Sequence, residues 1–137
     1  MNWEKMSRTE LNMEYNSILV LNDLDIPPSL NHCYTMRIVG KRIMKFRSKN
    51  FDDYIKYLSL VRYDKNITTI DYFLEAKIDV FFRGKISDID NILKVLFDAL
   101  QASGIIKNDN LIKRLGVDIK KSENNLAYLN LELLKYI

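Results

Sequence analysis

The sequence predicts an α/β fold: a small mixed sheet of about four strands with two main helices, in the order β-α-β-α-β-β. Three observations predict it. Apolar residues recur at helical spacing in two stretches, 50–62 and 89–100. An alternating, strand-like stretch over 72–82 lies between them. Two further strand-like stretches, 115–120 and 126–134, follow the second helix. A length of 137 residues allows one core, so a single domain over 17–137 is expected, preceded by a polar N-terminal arm over 1–16.

Taken in order, Ser17–Leu21 (SILVL) is β-branched and apolar and reads as the first strand. Asn22–Asn31 reads as a loop, because Pro27 and Pro28 lack a ladder donor and hold the preceding residue extended. Met36–Phe46 reads as a basic hairpin or loop. From Asn50 to Arg62, the apolar residues Phe51, Tyr54, Ile55, Leu58 and Val61 recur at helical spacing, with Asn50 as the expected cap. Over Tyr72–Phe82, Tyr72, Leu74, Ala76, Ile78 and Val80 can face a core while Phe73, Glu75, Lys77 and Asp79 face away. That alternation predicts a central strand. Gly84–Ser87 is a short turn. Ile89, Ile92, Leu93, Leu96, Phe97, Ala99 and Leu100 predict the strongest helix, with Gly104 just past its end, where left-handed residues terminate helices. After the Asn108-Asp109-Asn110 loop, Leu115–Lys120 and Leu126–Leu134 predict two strands joined through Ser122–Asn125 as an antiparallel hairpin.

Composition narrows the class. An apolar fraction of 47% and a charged fraction of 28% are those of an ordinary globular chain rather than a disordered one. No apolar run approaches the ~18 residues a membrane span needs. The segment MNWEKMSRTELNMEY is too charged and polar for a secretory signal, so a cytoplasmic location and no membrane partner are expected. The single cysteine, Cys33, excludes an internal disulfide and a four-cysteine zinc site, and reads as a small buried side chain. The single histidine, His32, excludes a two-histidine metal site, and no G-x-S-x-G elbow accompanies it. His32 therefore reads as non-catalytic.

Net charge is only +3, but its distribution is uneven. Arg37, Lys41, Arg42, Lys45, Arg47 and Lys49 fall in one stretch with no acidic residue, beside Tyr34 and Phe46. Such a patch suits a polyanion, since each phosphate contact releases counterions. A solvated loop would also carry these charges.

The residues with chemical potential gather around the second helix: Asp88, Asp90, Lys94 and Asp109. Asp88 and Asp90 would lie on different faces of one helix. They converge only if the helix begins near Asp90 with Asp88 still extended. Lys94 lies one turn beyond Asp90 on the same face. Two readings are open on spacing. Ser87 and Asp90 have the spacing of a capping box, and first-turn acids are favoured by the helix dipole, typically by ~0.3–1 kcal/mol each. Alternatively, converging carboxylates repel by several kcal/mol at an effective dielectric of about 20, and a hard cation such as Mg²⁺ or Mn²⁺ would relieve that repulsion. A magnesium cluster beside a lysine suits phosphodiester hydrolysis. Asp98, one turn past Lys94, either positions that lysine or forms an ordinary i,i+4 ion pair.

The segment DIDNILKVLFDALQASGIIKNDNLI, Asp88–Ile112, resembles the signature of the RusA family of Holliday junction resolvases. Asp88, Asp90, Asn91, Lys94, Asp98, Ala99, Leu100 and Gly104 fall in register with that signature. Ile26-Pro27-Pro28-Ser29-Leu30-Asn31 is similar to the family's early P-P-S-x-N motif. Arg83 and Lys85 stand where the family has a longer basic run, and Asn108-Asp109 stands where it has an acidic pair. The resemblance implies a Mg²⁺-dependent endonuclease, with Mn²⁺ able to substitute and no small-molecule cofactor. Asp88, Asp90 and Asp109 would be the metal ligands and Lys94 a catalytic or phosphate-contacting residue. It also implies a homodimer that cuts four-way DNA junctions by symmetric paired incisions, in recombination and repair.

DNA contacts are expected from Asn31, Arg37, Lys41, Arg42, Lys45, Arg47, Arg83 and Lys85. Two alternatives stand beside this reading: a relaxed nuclease of the same fold acting on flaps and forks, and a non-catalytic binder of branched DNA. Requirement for metal in nicking separates nuclease from binder.

Overall fold

The computed structural model describes residues 16–85 and 88–137. The expected polar arm, apart from Asn16, lies outside the described residues, as does Ser87. Among the described residues, ten elements follow in order: β1 (Ser17–Leu24), a 3-10 turn (Leu30–His32), β2 (Tyr34–Val39), β3 (Arg42–Arg47), α1 (Lys49–Asp64), β4 (Leu74–Phe82), α2 (Ile89–Ala102), a 3-10 turn (Asp109–Leu111), β5 (Ile112–Lys121) and β6 (Tyr128–Lys135). This is the expected mixture of two helices and a four-stranded mixed sheet, with a two-stranded hairpin added. No helix among the described residues is long and apolar enough to cross a membrane.

The chain forms two compact units. One draws on the chain up to Asp25, on Tyr72–Gly84 and on Asn110–Ile137; the other on Ile26–Asp71 and Lys85–Asp109.

The first unit is the sheet, in strand order β1-β6-β4-β5. β6 runs antiparallel to both β1 and β4, and β5 runs parallel to β4. Alternation places Leu74, Ala76, Ile78 and Val80 on a buried face of β4. Full burial of each of the larger of these contributes roughly 1.5–3 kcal/mol relative to exposure. The antiparallel hairpin expected between β5 and β6 does not form, because β4 lies between them. The reason is in their side chains. β6 buries Leu129, Leu131, Leu133 and Leu134 and takes an interior position with a neighbour on each side. β5 carries exposed Lys113, Arg114, Asp118, Lys120 and Lys121, the charge pattern of a protected edge. Its parallel pairing with β4 needs a long connection, which the segment containing α2 supplies.

The second unit contains both helices and the hairpin. Phe51, Tyr54 and Leu58 are buried on α1, and Ile92, Val95, Leu96, Ala99 and Leu100 on α2. The N-cap of α1 is Ser48 rather than the expected Asn50: its Oγ accepts from the Phe51 N–H at 3.3 Å and donates to the His32 carbonyl. A hydroxyl side chain two residues earlier captures the free donors first. At the other end of α2, Gly104 has φ +80, and the Ile105 N–H reaches the Leu100 carbonyl at 3.0 Å. A Cβ at Gly104 would meet the Arg62 guanidinium at 3.2 Å, so both backbone and space favour glycine there. The following turn buries Ile105 and Ile106, with Ile106 bridged to Ile70.

Candidate functional site

The α2 helix positions three of the four chemically interesting side chains. It begins at Ile89, leaving Asp88 as the N-cap with extended backbone, φ −56 and ψ 133. The capping-box reading assigned that position to Ser87; the helix instead starts one residue later. Asp88 accepts the first helical N–H groups through its backbone carbonyl, from Asn91 at 3.1 Å and Ile92 at 3.3 Å. Its side chain makes no capping hydrogen bond. The Asp88 carboxylate is thus exposed and, among the described residues, not engaged in capping, although this residue type is usually spent on capping at this position. Because α2 buries the Ile92, Val95, Leu96, Ala99 and Leu100 side, Asp90 and Lys94 are left exposed, one turn apart. The ion pairs among the described residues join Lys107 to Asp71, Arg114 to Glu75 and Lys120 to Asp79, and include none of Asp88, Asp90, Lys94 and Asp109.

Asp98 does not pair with Lys94. It is half-buried and accepts a hydrogen bond at 3.1 Å from the Tyr34 hydroxyl, sixty-four residues earlier in sequence. Burial first, then this hydrogen bond and the Asp98 charge, push the Tyr34 phenol up to about 12. The contact ties the root of the β2–β3 hairpin to the helix that carries Asp90 and Lys94. The sequence marks Tyr34 only as an aromatic beside the basic stretch; no local pattern signals a pairing this distant.

Asp109 is exposed at the start of its 3-10 turn, where its N–H donates to Gln101 Oε1 at 3.0 Å. Gln101 lies near the C-terminal end of α2. Thirteen residues separate it from Asp88, about 20 Å along the helix axis at 1.5 Å per residue. The fold therefore brings Asp88, Asp90 and Lys94 to one end of α2 and moors Asp109 toward the other. Among the described residues, no three His, Cys, Asp or Glu side chains are grouped to hold one metal ion. In donor chemistry Asp88 and Asp90 suit a hard divalent cation: both are exposed carboxylates, and that of Asp88 is left free by the cap. Asp109 has the same chemistry but does not join them within the chain.

The basic stretch forms a regular hairpin. β2 and β3 pair from Tyr34↔Arg47 to Val39↔Arg42, and Gly40 supplies the positive φ of +63 at the first turn position. Arg37, Lys41, Arg42, Lys45 and Arg47 are all exposed. Three cations lie over aromatic rings: Lys45 over Tyr34 at 3.9 Å, Arg37 over Phe46 at 5.5 Å and Arg47 over Phe51 at 5.9 Å. Asn31, Arg83 and Lys85 are likewise exposed.

His32 Nδ1 lies 2.8 Å from Ser29 Oγ, within the Pro27-Pro28-Ser29 loop. Cys33 is fully buried, and its thiol donates to the Ser29 carbonyl at 3.2 Å. Burial, reinforced by the Asp98 charge, pushes that thiol up, away from the thiolate form that reactive cysteines use.

The family model described as Endodeoxyribonuclease RusA matches residues 25–132. A 44-residue stretch is 46% identical to the Crossover junction endodeoxyribonuclease RusA of Aquifex aeolicus (strain VF5). That stretch is 31% of this chain and spans about a third, 35%, of the relative's length.

Proposed function

Because the chain belongs to the endodeoxyribonuclease RusA family, we propose that it is a divalent-metal-dependent endonuclease that resolves four-way DNA junctions by paired, symmetric incisions as a homodimer. The observation that carries this reading is the entrance of α2, where the Asp88 carboxylate is left free of capping beside exposed Asp90 and Lys94.

Asp88 and Asp90 would hold Mg²⁺ or Mn²⁺, with Asp109 the third carboxylate that the family resemblance assigns. A bound ion of this kind polarises a phosphoryl oxygen and makes hydroxide available near neutral pH. Lys94 has its own part. Its ammonium, a turn beyond Asp90, would neutralise charge developing on the scissile phosphate. The buried side of α2 fixes the helix on which both groups ride, so neither needs an ordered partner to be presented. The exposed cations of the β2–β3 hairpin, with Asn31 and Lys85, would supply phosphate contacts that hold a DNA arm, and Arg83 is read separately as a further phosphate contact. Two matched cuts call for two equivalent sites, which a two-fold symmetric pair of chains provides.

Incubating the protein with end-labelled synthetic four-way junctions, linear duplexes and forks, each with Mg²⁺ or EDTA, tests this reading. Paired nicks in opposing strands of the junction, present only with metal, are expected. Equal cutting of forks and junctions would replace junction resolution by the relaxed-nuclease alternative. Protection without cutting under both conditions would leave only a DNA binder.

A further inference from the structure

The β2–β3 hairpin carries a second feature that its charges do not explain. Its six residue pairs extend about 20 Å at strand spacing. Its root is fixed: the Ser48 N–H donates to the Cys33 carbonyl at 2.8 Å, and the Tyr34 ring lies 5.4 Å from that of Phe51. Beyond the root it projects apolar side chains into solvent. Ile38 and Ile43 face each other across the strands one pair in from the turn and are 78% and 71% exposed. Met36, on the same side of β2, is 64% exposed. A two-stranded ribbon is marginal in water by itself, and β-branched pairs at a tip are an unusual use of apolar surface unless something covers them.

What covers them is constrained by charge. From Tyr34 to Arg47 the ribbon has five cations and no anion, and a sixth cation, Lys49, follows at the start of α1. None of those six takes part in an ion pair among the described residues. Packing two such ribbons against each other would set like charges together at the interface, which opposes self-association through this surface. A partner that is both polyanionic outside and apolar between its layers satisfies the whole pattern: base pairs that can be parted beneath a phosphate backbone. Apolar wedges flanked by basic residues unstack DNA in this way.

We propose that Ile38 and Ile43 form a wedge that enters the base stack beside the branch point of a DNA junction, while Arg37, Arg42 and Lys45 hold the flanking phosphates. The inference rests on the branched-DNA reading above and adds how the branch is engaged. It also gives the ribbon a place in the chemistry: the Tyr34–Asp98 hydrogen bond connects its root to α2, so the wedge and the Asp90–Lys94 surface are carried by contacting elements.

The test uses the full chain in EDTA and four-way junctions with 2-aminopurine at branch-adjacent or mid-arm positions. Binding is followed by fluorescence anisotropy and unstacking by 2-aminopurine emission. Wild type should raise emission several-fold at one or more branch-adjacent positions and leave the mid-arm positions unchanged. Ile38→Ala with Ile43→Ala should bind with an unchanged salt dependence but without the emission rise, and Ile38→Leu with Ile43→Leu should restore it. Binding by wild type with no rise at any branch-adjacent position would overturn the wedge alone, whatever the variants do. So would a full rise in the alanine pair, or conversion of a dimer to a monomer by that pair, which would assign the tip to a second copy. Failure of wild type to bind any branched DNA would overturn both the wedge and the reading beneath it.

Discussion

Asp90 and Lys94 lie one turn apart on the exposed side of α2, close enough to serve one phosphate and different enough in charge to be separated by substitution. Asp90→Asn should reduce junction cleavage by orders of magnitude while binding in EDTA is kept or improved, because a negative charge near the DNA backbone is removed. Nick assays alongside gel-shift titrations measure both. Undiminished cleavage at ordinary Mg²⁺ would remove Asp90 from the site. Lys94→Ala should slow cleavage by roughly 10²-fold, as loss of one charge-stabilising donor does, with the metal concentration for half-maximal rate unchanged. An ammonium cannot ligate a cation, so a shifted metal requirement would contradict this role. Lys94→Arg should recover only part of the rate, since a planar guanidinium does not place its charge where an ammonium does.

Tyr34 belongs to the same scale but to stability. Its hydroxyl donates to the half-buried Asp98, and Tyr34→Phe should lower stability by roughly 1 kcal/mol, read as a lower urea midpoint. The phenol is held at about 12, above its ordinary value near 10, chiefly by burial and then by Asp98. A folded-state value raised above the unfolded one favours the protonated form. The stabilisation is therefore fully present below about pH 10 and disappears as pH rises toward about 12. Absorbance at ~295 nm in native conditions should show a tyrosine ionising at about 12 that is absent from Tyr34→Phe.

Elements were legible where one periodicity dominated. The apolar spacing of 50–62 and 89–100 located both helices, and the alternation in 72–82 located β4, because each pattern reports burial on one face. Strand partners were not legible in the same way. Whether β5 pairs with β6 or with β4 depends on which strand has two buried neighbours, a property of the assembled sheet that the Ser122–Asn125 turn does not encode. The site divides similarly. The free Asp88 carboxylate depends on the helix starting one residue later than a capping box allows, while Asp109's mooring comes from a Gln101 side chain that no motif singles out. The hairpin was readable as basic but not as a ribbon anchored at its root, since that root is held by Phe51 and Asp98, which lie outside the basic stretch in sequence. For this element, replacing Lys41, Arg42 and Lys45 together by alanine should weaken binding to every branched substrate alike. The log–log salt dependence should flatten by about 0.9 for each phosphate no longer neutralised, and an unchanged slope would remove the ribbon from the DNA interface.

At the scale of the whole molecule, the length of α2 raises the question of how the proposed metal site would draw on both of its ends. Asp88 and Asp90 stand at its start and Asp109 is held beside Gln101, about 20 Å further along the axis. A two-fold axis that sets two α2 helices antiparallel places the start of one beside the end of the other, and does so twice. In such a dimer each site takes Asp88 and Asp90 from one chain and Asp109 from its partner. That would make metal binding conditional on assembly and supply the two centres that paired incisions need. Mixed dimers decide the matter. The Asp90→Asn and Asp109→Asn proteins should each be inactive alone. After subunit exchange, half of the dimers carry one chain of each kind. With shared sites, each of these has one intact centre, assembled from the unaltered Asp88 and Asp90 of one chain and the unaltered Asp109 of the other. About a quarter of wild-type centres should then return, making single nicks instead of paired cuts. Calorimetric titration with Mn²⁺ should show one recovered ion site per mixed dimer. If each chain builds its own site, both centres of every mixed dimer stay defective. Neither nicking nor ion binding would then recover, even with exchange verified by differently tagged chains.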